Sequence, residues 1–317
     1  MSPSRFGEHL DAYLALRRAL GFTMRPEERL LRDFLAFVDH AGRPTSGHAQ
    51  IALAWATATA TRCGPRAQTR RLGIARAFLA YVRAHDPAVE VPGPGLLPHP
   101  HRRPPHLYTP SDIAGLMQAA AALGPRGALR PHTITTLIGL LVSCGLRANE
   151  ALKLHLGDVN LGARPPHLVV RLTKFRKSRL VPLHPTTVEA LRTYAACRAR
   201  LGYDGLCDAF FVSERGTPLN YHVTARTFVR LARRLGLRGP AGERGACLHQ
   251  LRHTFAVRRL AAWSRAGIDV RSHLPHLSVY LGHVRPEDTY WYLSASPDTL
   301  DPAAARFDTY VSGGAPS

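Results

Sequence analysis

The stretch LHQLRHTFA at residues 248–256, with YLGH at 280–283 and TYWYL at 289–293 downstream of it, decides how the whole chain is interpreted. His249 and Arg252 are three residues apart in a segment with helical character, so they share one face of a helix, with Cβ atoms about 5–6 Å apart. Such a face could bind one phosphate group. An isolated His-x-x-Arg is also common on ordinary basic helices, so the rest of the sequence must decide between the two interpretations.

The chain is strongly basic. Among its 317 residues, 42 lysines and arginines stand against 22 aspartates and glutamates, which gives a net charge of +20. An excess of this size favours a polyanion, and we therefore expect double-stranded DNA as the partner. A membrane surface is the competing partner, but the longest apolar run, residues 134–146, is shorter than the roughly 20 residues of a membrane-spanning helix. Because no secretory signal opens the sequence, we expect a cytoplasmic, nucleoid-associated protein.

Cysteine usage argues against disulfide or metal chemistry. The five cysteines are odd in number and scattered along the chain, which is typical of a reducing compartment. Cys247 and His249 are close in sequence, but no second pair accompanies them at the spacing of metal ligands. We expect neither a metal nor a cofactor.

Residues 1–91 are predicted to form a small all-helical domain. Apolar residues recur at helical spacing in four segments, 6–20, 27–40, 46–60 and 65–84, and glycine-containing breaks separate them. Four short helices of this kind can enclose one hydrophobic core.

A DNA-contacting surface is predicted on this domain and on the linker that follows it. No acidic residue occurs between positions 41 and 84, and Arg66 and Arg70 are one turn apart, opposite the apolar stripe of the last helix. The alternative is a solvated helix face, which normally mixes both signs of charge. Proline-rich residues 92–106 are predicted to form an extended interdomain linker. The arginines expected to contact DNA here are Arg62, Arg66, Arg70, Arg71, Arg102 and Arg103.

Residues 107–317 are predicted to form a second domain of α+β type, so that the whole chain is mainly α with a small antiparallel sheet. Strands are expected at 167–173 and 178–183, joined by the turn KFRK. Gly145 is expected to end a helix in the left-handed conformation. The expected helices lie at 111–123, 131–143, 186–200 and 220–235, and a further short strand at 210–213.

Six side chains of this second domain together suit phosphodiester transfer to a protein nucleophile. Two arginines can hold the non-bridging phosphate oxygens and stabilise the charge of the transition state, and a tyrosine can form a covalent phosphotyrosine. A lysine on the hairpin turn can protonate the departing 5′ oxygen. Both histidines can hydrogen-bond phosphate oxygens, and His249 could instead accept the tyrosine proton. The candidate catalytic residues are Arg147, Lys174, His249, Arg252, His283 and Tyr292.

Two of these assignments have open alternatives. Lys177 lies in the same turn as Lys174 and is a second candidate for the general acid. Tyr290 is a second candidate for the nucleophile, although on a helix it would point about 200° away from Tyr292, so that only one of them can face the phosphate. Lys177 and Arg179 are also predicted to contact DNA.

The motifs occur in the order found in a known family. CGLRANEAL, TKFRKSRLVPL, HQLRHTFA, YLGH and a tyrosine nine residues after that histidine together resemble the catalytic domain of the tyrosine recombinases, or phage integrase family, of the two-domain Xer-like type. The helical N-terminal unit is similar to the family's SAM-like core-binding domain in architecture and not in motif. By position, the six candidate catalytic residues match the family's two arginines, hairpin lysine, two histidines and nucleophile. The glycine usual beside the hairpin lysine is absent, since Thr173 and Phe175 flank Lys174.

The resemblance implies an activity. A member of this family would act as a site-specific recombinase that cuts and rejoins DNA through a 3′-phosphotyrosine, without metal or ATP, as in the integration or excision of a transposon or phage. It implies a homotetramer on DNA, with a dimer on each site, and possible partner recombinases. A helix expected near residues 300–311 would dock on a neighbouring subunit or pack on its own domain. The alternatives are DNA relaxation of the type IB topoisomerase kind and a catalytically inactive DNA-binding protein.

Overall fold

The computed structural model describes residues 6–40, 47–58, 64–98, 104–171, 178–240, 243, 245–283, 285 and 287–294. The chain divides into two compact units, residues 1–103 and 104–317. Each unit encloses its own buried hydrophobic core. Over the described ranges, every helix is too short or too polar to cross a membrane.

The first unit contains four helices packed around one core. They are α1 (Gly7–Ala19), α2 (Arg25–His40), α3 (His48–Thr57) and α4 (Pro65–Arg83). Helix α4 packs against each of the other three, and its buried face, which includes Phe78 and Leu79, lies at the centre of the core. Pro65 begins this helix, where a missing backbone N–H costs no hydrogen bond.

The second unit is built of eight helices and one small sheet over its described residues. The helices are α5 (Pro110–Ala121), α6 (Leu129–Cys144), α7 (Ala148–Leu152), α8 (Pro185–Arg200), α9 (Tyr221–Arg234), α10 (Leu248–Arg265), α11 (Val270–Leu281) and α12 (Glu287–Tyr290). Helix α12 continues as a 3-10 turn over Trp291–Ser294. Helix α6 packs against α5, α8 and α10, which places it in the middle of the larger core of this unit.

The sheet has three antiparallel strands in the order β1 (Val159–Asn160), β2 (His167–Val170) and β3 (Arg179–Pro182). Leu168 pairs with Val181 across the β2–β3 ladder, and both side chains are buried. The predicted fold class, mainly helical with a small antiparallel sheet, is therefore confirmed. The turn at 172–177, with its two candidate lysines, and the predicted helix at 300–311 lie outside the described residues.

Two helices begin at positions other than those predicted. Helix α5 begins at Pro110, one residue before the predicted start, because Thr109 caps it: the Thr109 hydroxyl accepts the backbone N–H of Asp112 while the Asp112 carboxylate accepts the N–H of Thr109. Helix α6 begins at Leu129, two residues before Pro131. A proline is tolerated in the first turn of a helix, where the backbone N–H has no acceptor within the helix, so it does not fix the first residue.

The strand predictions were accurate for the hairpin and wrong elsewhere. Residues 210–213 do not form a strand of the sheet, and Val212 makes only an isolated bridge with Pro218. Conversely, Val159 and Asn160 add a third strand that was not predicted. A two-residue strand carries too little alternation of apolar and polar residues to be recognised in a sequence.

Candidate active site

Arg147 is placed by the junction between α6 and α7. Gly145 ends α6 with φ of 61°, a left-handed conformation that suits glycine, and Arg147 then occupies the N-cap of α7. The Arg147 backbone N–H donates to Glu150 Oε2 at 3.0 Å, and its Nη1 donates to Glu150 Oε1 at 2.7 Å. Glu150, at the third position of the helix, therefore fixes both the backbone and the guanidinium of Arg147.

Arg252 enters the site from α10 and is almost fully buried. Its Nη1 donates to the Gly145 carbonyl at 2.9 Å, and its Nη2 donates to the Leu281 carbonyl at 2.6 Å. Burial, reinforced by the nearby charge of Arg147, lowers the pKa of Arg252 to about 10. The guanidinium remains protonated at neutral pH and holds its charge next to the end of α6.

Glu150 also binds a second arginine, Arg179 of β3. Arg179 Nη2 donates to Glu150 Oε2 at 2.7 Å, and Nη1 donates to Oε1 at 3.2 Å. Burial alone would raise the pKa of Glu150, but hydrogen bonds and charge from Arg179 and Arg147 outweigh it and lower that pKa below its usual value. Glu150 is therefore ionised and holds two guanidinium groups side by side.

The three arginines meet at the C-terminal end of α11. In a helix the last carbonyls have no partner within the helix and need donors from elsewhere. Here three successive carbonyls each accept one hydrogen bond from an arginine: Tyr280 from Arg179 Nε at 2.7 Å, Leu281 from Arg252 Nη2 at 2.6 Å, and Gly282 from Arg147 Nη2 at 2.9 Å. We refer to these three arginines with Glu150 as the arginine cluster.

His283 and Tyr292 follow directly from this helix end. His283 Nδ1 lies 2.7 Å from the Thr289 hydroxyl, and the His283 ring stacks on the Tyr292 ring with centroids 6.1 Å apart. Tyr292 is buried, and its hydroxyl oxygen lies 3.0 Å from His253 Nδ1. Arg252 directly precedes His253 in α10, so the arginine lies beside the histidine that contacts the tyrosine.

His249 and Tyr290 differ in their placement. The His249 ring is exposed at the start of α10 and contacts the His253 ring edge to face, with centroids 4.7 Å apart. Tyr290 ends α12 and is half exposed. The two tyrosines therefore point in different directions, and the one next to the histidines and Arg252 is Tyr292.

Four of the six predicted catalytic residues are thus gathered around the C-terminal end of α11, and a fifth, His249, is linked to them through its ring contact with His253. The four are Arg147, Arg252, His283 and Tyr292, and Lys174 lies outside the described residues together with Lys177. Within the described ranges, no group of three histidine, cysteine, aspartate or glutamate side chains could hold a metal ion.

Comparison with known proteins identifies the chain. The sequence profile of the phage integrase family matches residues 108–298, the part of the chain that carries this site. A protein of Sinorhizobium fredii (strain NBRC 101917 / NGR234), "Putative integrase/recombinase y4rB", is 41% identical over 310 residues, 96% of this chain and 98% of that protein. The chain belongs to the phage integrase family.

Other relatives and solved structures agree with this assignment. Tyrosine recombinase XerC of Rhodospirillum centenum (strain ATCC 51521 / SW) is 31% identical over 299 residues, 90% of this chain and 80% of that protein. The fold is similar to that of the Tn1549 transposon integrase in complex with transposon right end DNA, with a TM-score of 0.66 at 18% identity over 95% of this chain and 98% of that one. It is also similar to XerH bound to palindromic difH substrate, with a TM-score of 0.66 at 17% identity over 88% and 78% of the two chains. The chain is a tyrosine recombinase.

Arg71 of this recombinase was predicted to contact DNA, and the structure gives it a different role. Its side chain is 12% exposed, pairs with Asp33 Oδ2 at 3.0 Å and donates to the Trp55 carbonyl. The guanidinium also lies 3.9 Å from the centroid of the Trp55 ring. Arg71 therefore connects α2, α3 and α4 within the first unit, and its positive charge is paired with the Asp33 carboxylate there.

The other predicted DNA contacts of the first unit divide into two groups. Arg66 is exposed on α4, while Arg70 pairs with Glu27 of α2 at 3.1 Å. Although positions 41–84 contain no acidic residue, α2 provides one next to Arg70. The surface around Arg70 therefore mixes both signs of charge, which favours the alternative of a solvated helix face. Arg62, Arg102 and Arg103 lie outside the described residues.

Arg179 was also predicted to contact DNA, and, like Arg71, it is engaged within the protein. Its side chain is 12% exposed, and its donors go to Glu150 and to the Tyr280 carbonyl. Arg179 organises the arginine cluster instead of facing outward. Its partner Glu150 could have been recognised as a capping residue three positions after Arg147, but a capping pattern does not reveal a second arginine.

Helix α9 presents a basic surface that was not among the predicted DNA contacts. Arg226 and Arg230 are exposed and one turn apart on the face opposite the buried Phe228 and Leu231. With Arg130 and Arg233 they line an open groove along the helix. The four-residue spacing of the arginines could have indicated this surface, because the apolar residues of the same helix recur on its opposite face.

Proposed function

We propose that this recombinase cuts and rejoins DNA at specific sites through a covalent bond between Tyr292 and a 3′ phosphate, and that it serves the movement of a mobile element. The observation that carries the proposal is the position of Tyr292: its hydroxyl oxygen lies 3.0 Å from His253 Nδ1, its ring stacks on His283, and the buried Arg252 directly precedes His253 in α10. A tyrosine in such surroundings can reach a phosphate held by the arginines.

The arginine cluster supplies the electrostatic part of the reaction. A guanidinium has five N–H donors. Among the described residues, Arg252 donates one N–H to each of two backbone carbonyls. Its other donors, with those of Arg147, can hold the non-bridging oxygens of a phosphodiester. These donors are fixed in advance by Glu150 and by the end of α11, so little reorganisation is needed as charge builds up on the phosphate.

The bonds exchange as follows. The Tyr292 hydroxyl gives its proton to a nearby histidine as its oxygen forms a bond to phosphorus, and the bond from phosphorus to the 5′ oxygen breaks. The 5′ oxygen takes a proton from Lys174 or Lys177, which leaves a 5′ hydroxyl and a phosphotyrosine. The phosphotyrosine conserves the energy of the phosphodiester, so a 5′ hydroxyl from the same or another strand can reseal the break without an added energy source.

The proposed substrate is double-stranded DNA, contacted in the second unit by the exposed arginines of α9. We further propose that four copies act together, two on each site, in the cytoplasm at nucleoid DNA. Solved structures of similar fold include the Tn1549 transposon integrase in complex with transposon right end DNA and a lambda integrase tetramer bound to a Holliday junction, which supports the proposals of a mobile element and of a tetramer.

Covalent trapping tests this function. Nicked duplexes tiled across the DNA that flanks the gene are incubated with the protein. The nick lets a short 5′-hydroxyl fragment diffuse away, so that the linked state accumulates. We expect one duplex to become attached to wild-type protein and none to Tyr292→Phe, which should still bind that duplex. The matched control is Tyr290→Phe, which should form the adduct.

Two outcomes would contradict the proposal. An adduct that persists in Tyr292→Phe would show that another residue is the nucleophile. A wild-type protein that links to DNA and relaxes supercoils, but never joins two target duplexes into a junction, would be a relaxing enzyme and not a recombinase.

A further inference from the structure

His253 lies closer to the nucleophile than the sequence motifs suggested. Its Nδ1 is 3.0 Å from the Tyr292 hydroxyl oxygen, and both side chains are buried, with 9% and 2% of their surface exposed. The two rings are in contact, with centroids 5.4 Å apart, and the Trp291 ring packs against His253 at 5.5 Å. A basic nitrogen is therefore held at hydrogen-bond distance from the hydroxyl that must lose its proton.

We propose that His253 is the proton acceptor for Tyr292, a catalytic role that rests on the function proposed above. A neutral imidazole with its proton on Nε2 presents the Nδ1 lone pair to the hydroxyl. As the tyrosine oxygen bonds to phosphorus, the hydroxyl proton moves to Nδ1, and the departing 5′ oxygen takes its proton from a hairpin lysine. When the strand is resealed, the 5′ hydroxyl bonds to phosphorus and returns its proton to the hairpin lysine, while the phosphotyrosine bond breaks and His253 returns its proton to the tyrosine.

A second histidine, His249, lies between His253 and the protein surface. His249 is one turn earlier on α10, exposed, and in ring contact with His253, so it connects the buried imidazole to the surface. Acceptance of the tyrosine proton, one of the two roles expected of His249, is thus assigned to His253. His249 is left with the other role, a hydrogen bond to a phosphate oxygen. Among the described residues, the titratable groups near the reacting pair include His249 on the same helix and His283, which stacks on the tyrosine ring, and the cationic Arg252 precedes His253 in the chain.

The test measures the rate of adduct formation in a single turnover on the nicked duplex that wild-type protein links. His253→Ala should slow this rate by about 10²–10⁴, the usual contribution of a general base, and added imidazole should restore part of it. His253→Asn keeps an oxygen that can accept the hydrogen bond but lacks a basic nitrogen. It should fold and bind DNA as wild type does, yet lose the rise of rate with pH that a titrating acceptor produces.

Controls separate this role from a structural one. His276→Asn changes an exposed histidine of α11 and should leave the rate and its pH profile unchanged. Because His249 and His283 remain in every His253 variant, a pH dependence caused by either would survive in His253→Asn.

The proposal is overturned if His253→Ala forms the adduct at the wild-type rate or faster, since the hydrogen bond would then only hold the tyrosine at rest. It is equally overturned if folded His253→Asn keeps the wild-type pH profile, a result that also decides the matter should the alanine variant fail to fold. Failure of the proposed function looks different. Wild-type protein would then give no adduct, or the adduct would survive Tyr292→Phe, and the His253 assignment would fall with it.

Discussion

Replacing Glu150 with glutamine tests how the arginine cluster is held together. The carboxylate accepts four hydrogen bonds: two from Arg147, at 2.7 and 3.0 Å, and two from Arg179, at 2.7 and 3.2 Å. Glutamine has the same shape but keeps one acceptor oxygen, and its NH2 group would face two donors. In either orientation of the amide, two of the four hydrogen bonds are lost.

The size of the effect follows from these contacts. Hydrogen bonds to charged groups contribute about 1.5–3 kcal/mol each, so two of them amount to about 3–6 kcal/mol. The Arg147 side chain is 28% exposed, and solvent screens its share, so we expect a loss of about 3 kcal/mol in the free energy of unfolding. For a unit as large as residues 104–317, this corresponds to a fall in Tm of about 6–12 °C.

Calorimetric unfolding of the full chain measures this fall, and covalent trapping measures its effect on the site. Adduct formation should slow as well, because the same bonds position Arg147. Glu189→Gln is the matched control, since it neutralises an exposed carboxylate on α8. If Glu150→Gln unfolds within about 2 °C of this control, the carboxylate does not stabilise the cluster and the reasoning is wrong.

Three further predictions follow from the same contacts. The pKa of Glu150 is lowered from 4.5, so its stabilising effect is present above pH 4.5 and is lost as pH falls through the folded-state pKa; the wild-type advantage over Glu150→Gln in urea unfolding should shrink only in that acid range. Gly145→Ala places a Cβ 2.3 Å from the Phe255 ring at a φ of 61° and should lower the free energy of unfolding by about 2–4 kcal/mol. Gly127→Ala, at a φ of 77° with open space around it, should lose only the smaller part that comes from backbone strain. Equal losses in the two variants would refute the clash with Phe255. Arg226→Ala should weaken DNA binding similarly for all sequences and lower the slope of log affinity against log salt by about 1, and an unchanged slope would remove α9 from the interface.

Sequence alone predicted the features that depend on local spacing. His249 and Arg252 lie on one helix because three residues separate them, and Gly145 ends α6 in the left-handed conformation expected of it. Tyr292 was preferred to Tyr290 by its distance from His283, and the structure buries Tyr292 within the site and leaves Tyr290 half exposed. Each of these inferences needed only the geometry of one helix or one turn.

The features that were missed depend on contacts between distant parts of the chain. Arg71 and Arg179 looked like surface cations, because nothing near them in sequence shows that Asp33 and Glu150 approach them. His253 was overlooked although it follows Arg252 directly, since its role depends on where Tyr292 folds back, 39 residues later. Charge counted along the sequence therefore overestimates the charge available to DNA.

The end of α11 explains why the arginines gather where they do. Its last carbonyls must find donors, and the cluster supplies them, so that the bonds that terminate the helix also position the phosphate-binding groups. Three guanidinium groups with a single carboxylate leave a net charge of about +2 among the described members of the cluster, and part of the resulting cost is visible as the lowered pKa of the buried Arg252. A phosphodiester brings one negative charge to these groups and reduces their mutual repulsion. A bound phosphodiester is therefore favoured at this position over the exposed arginines elsewhere in the described ranges, because the cations of the cluster are held together, partly dehydrated, before the DNA arrives.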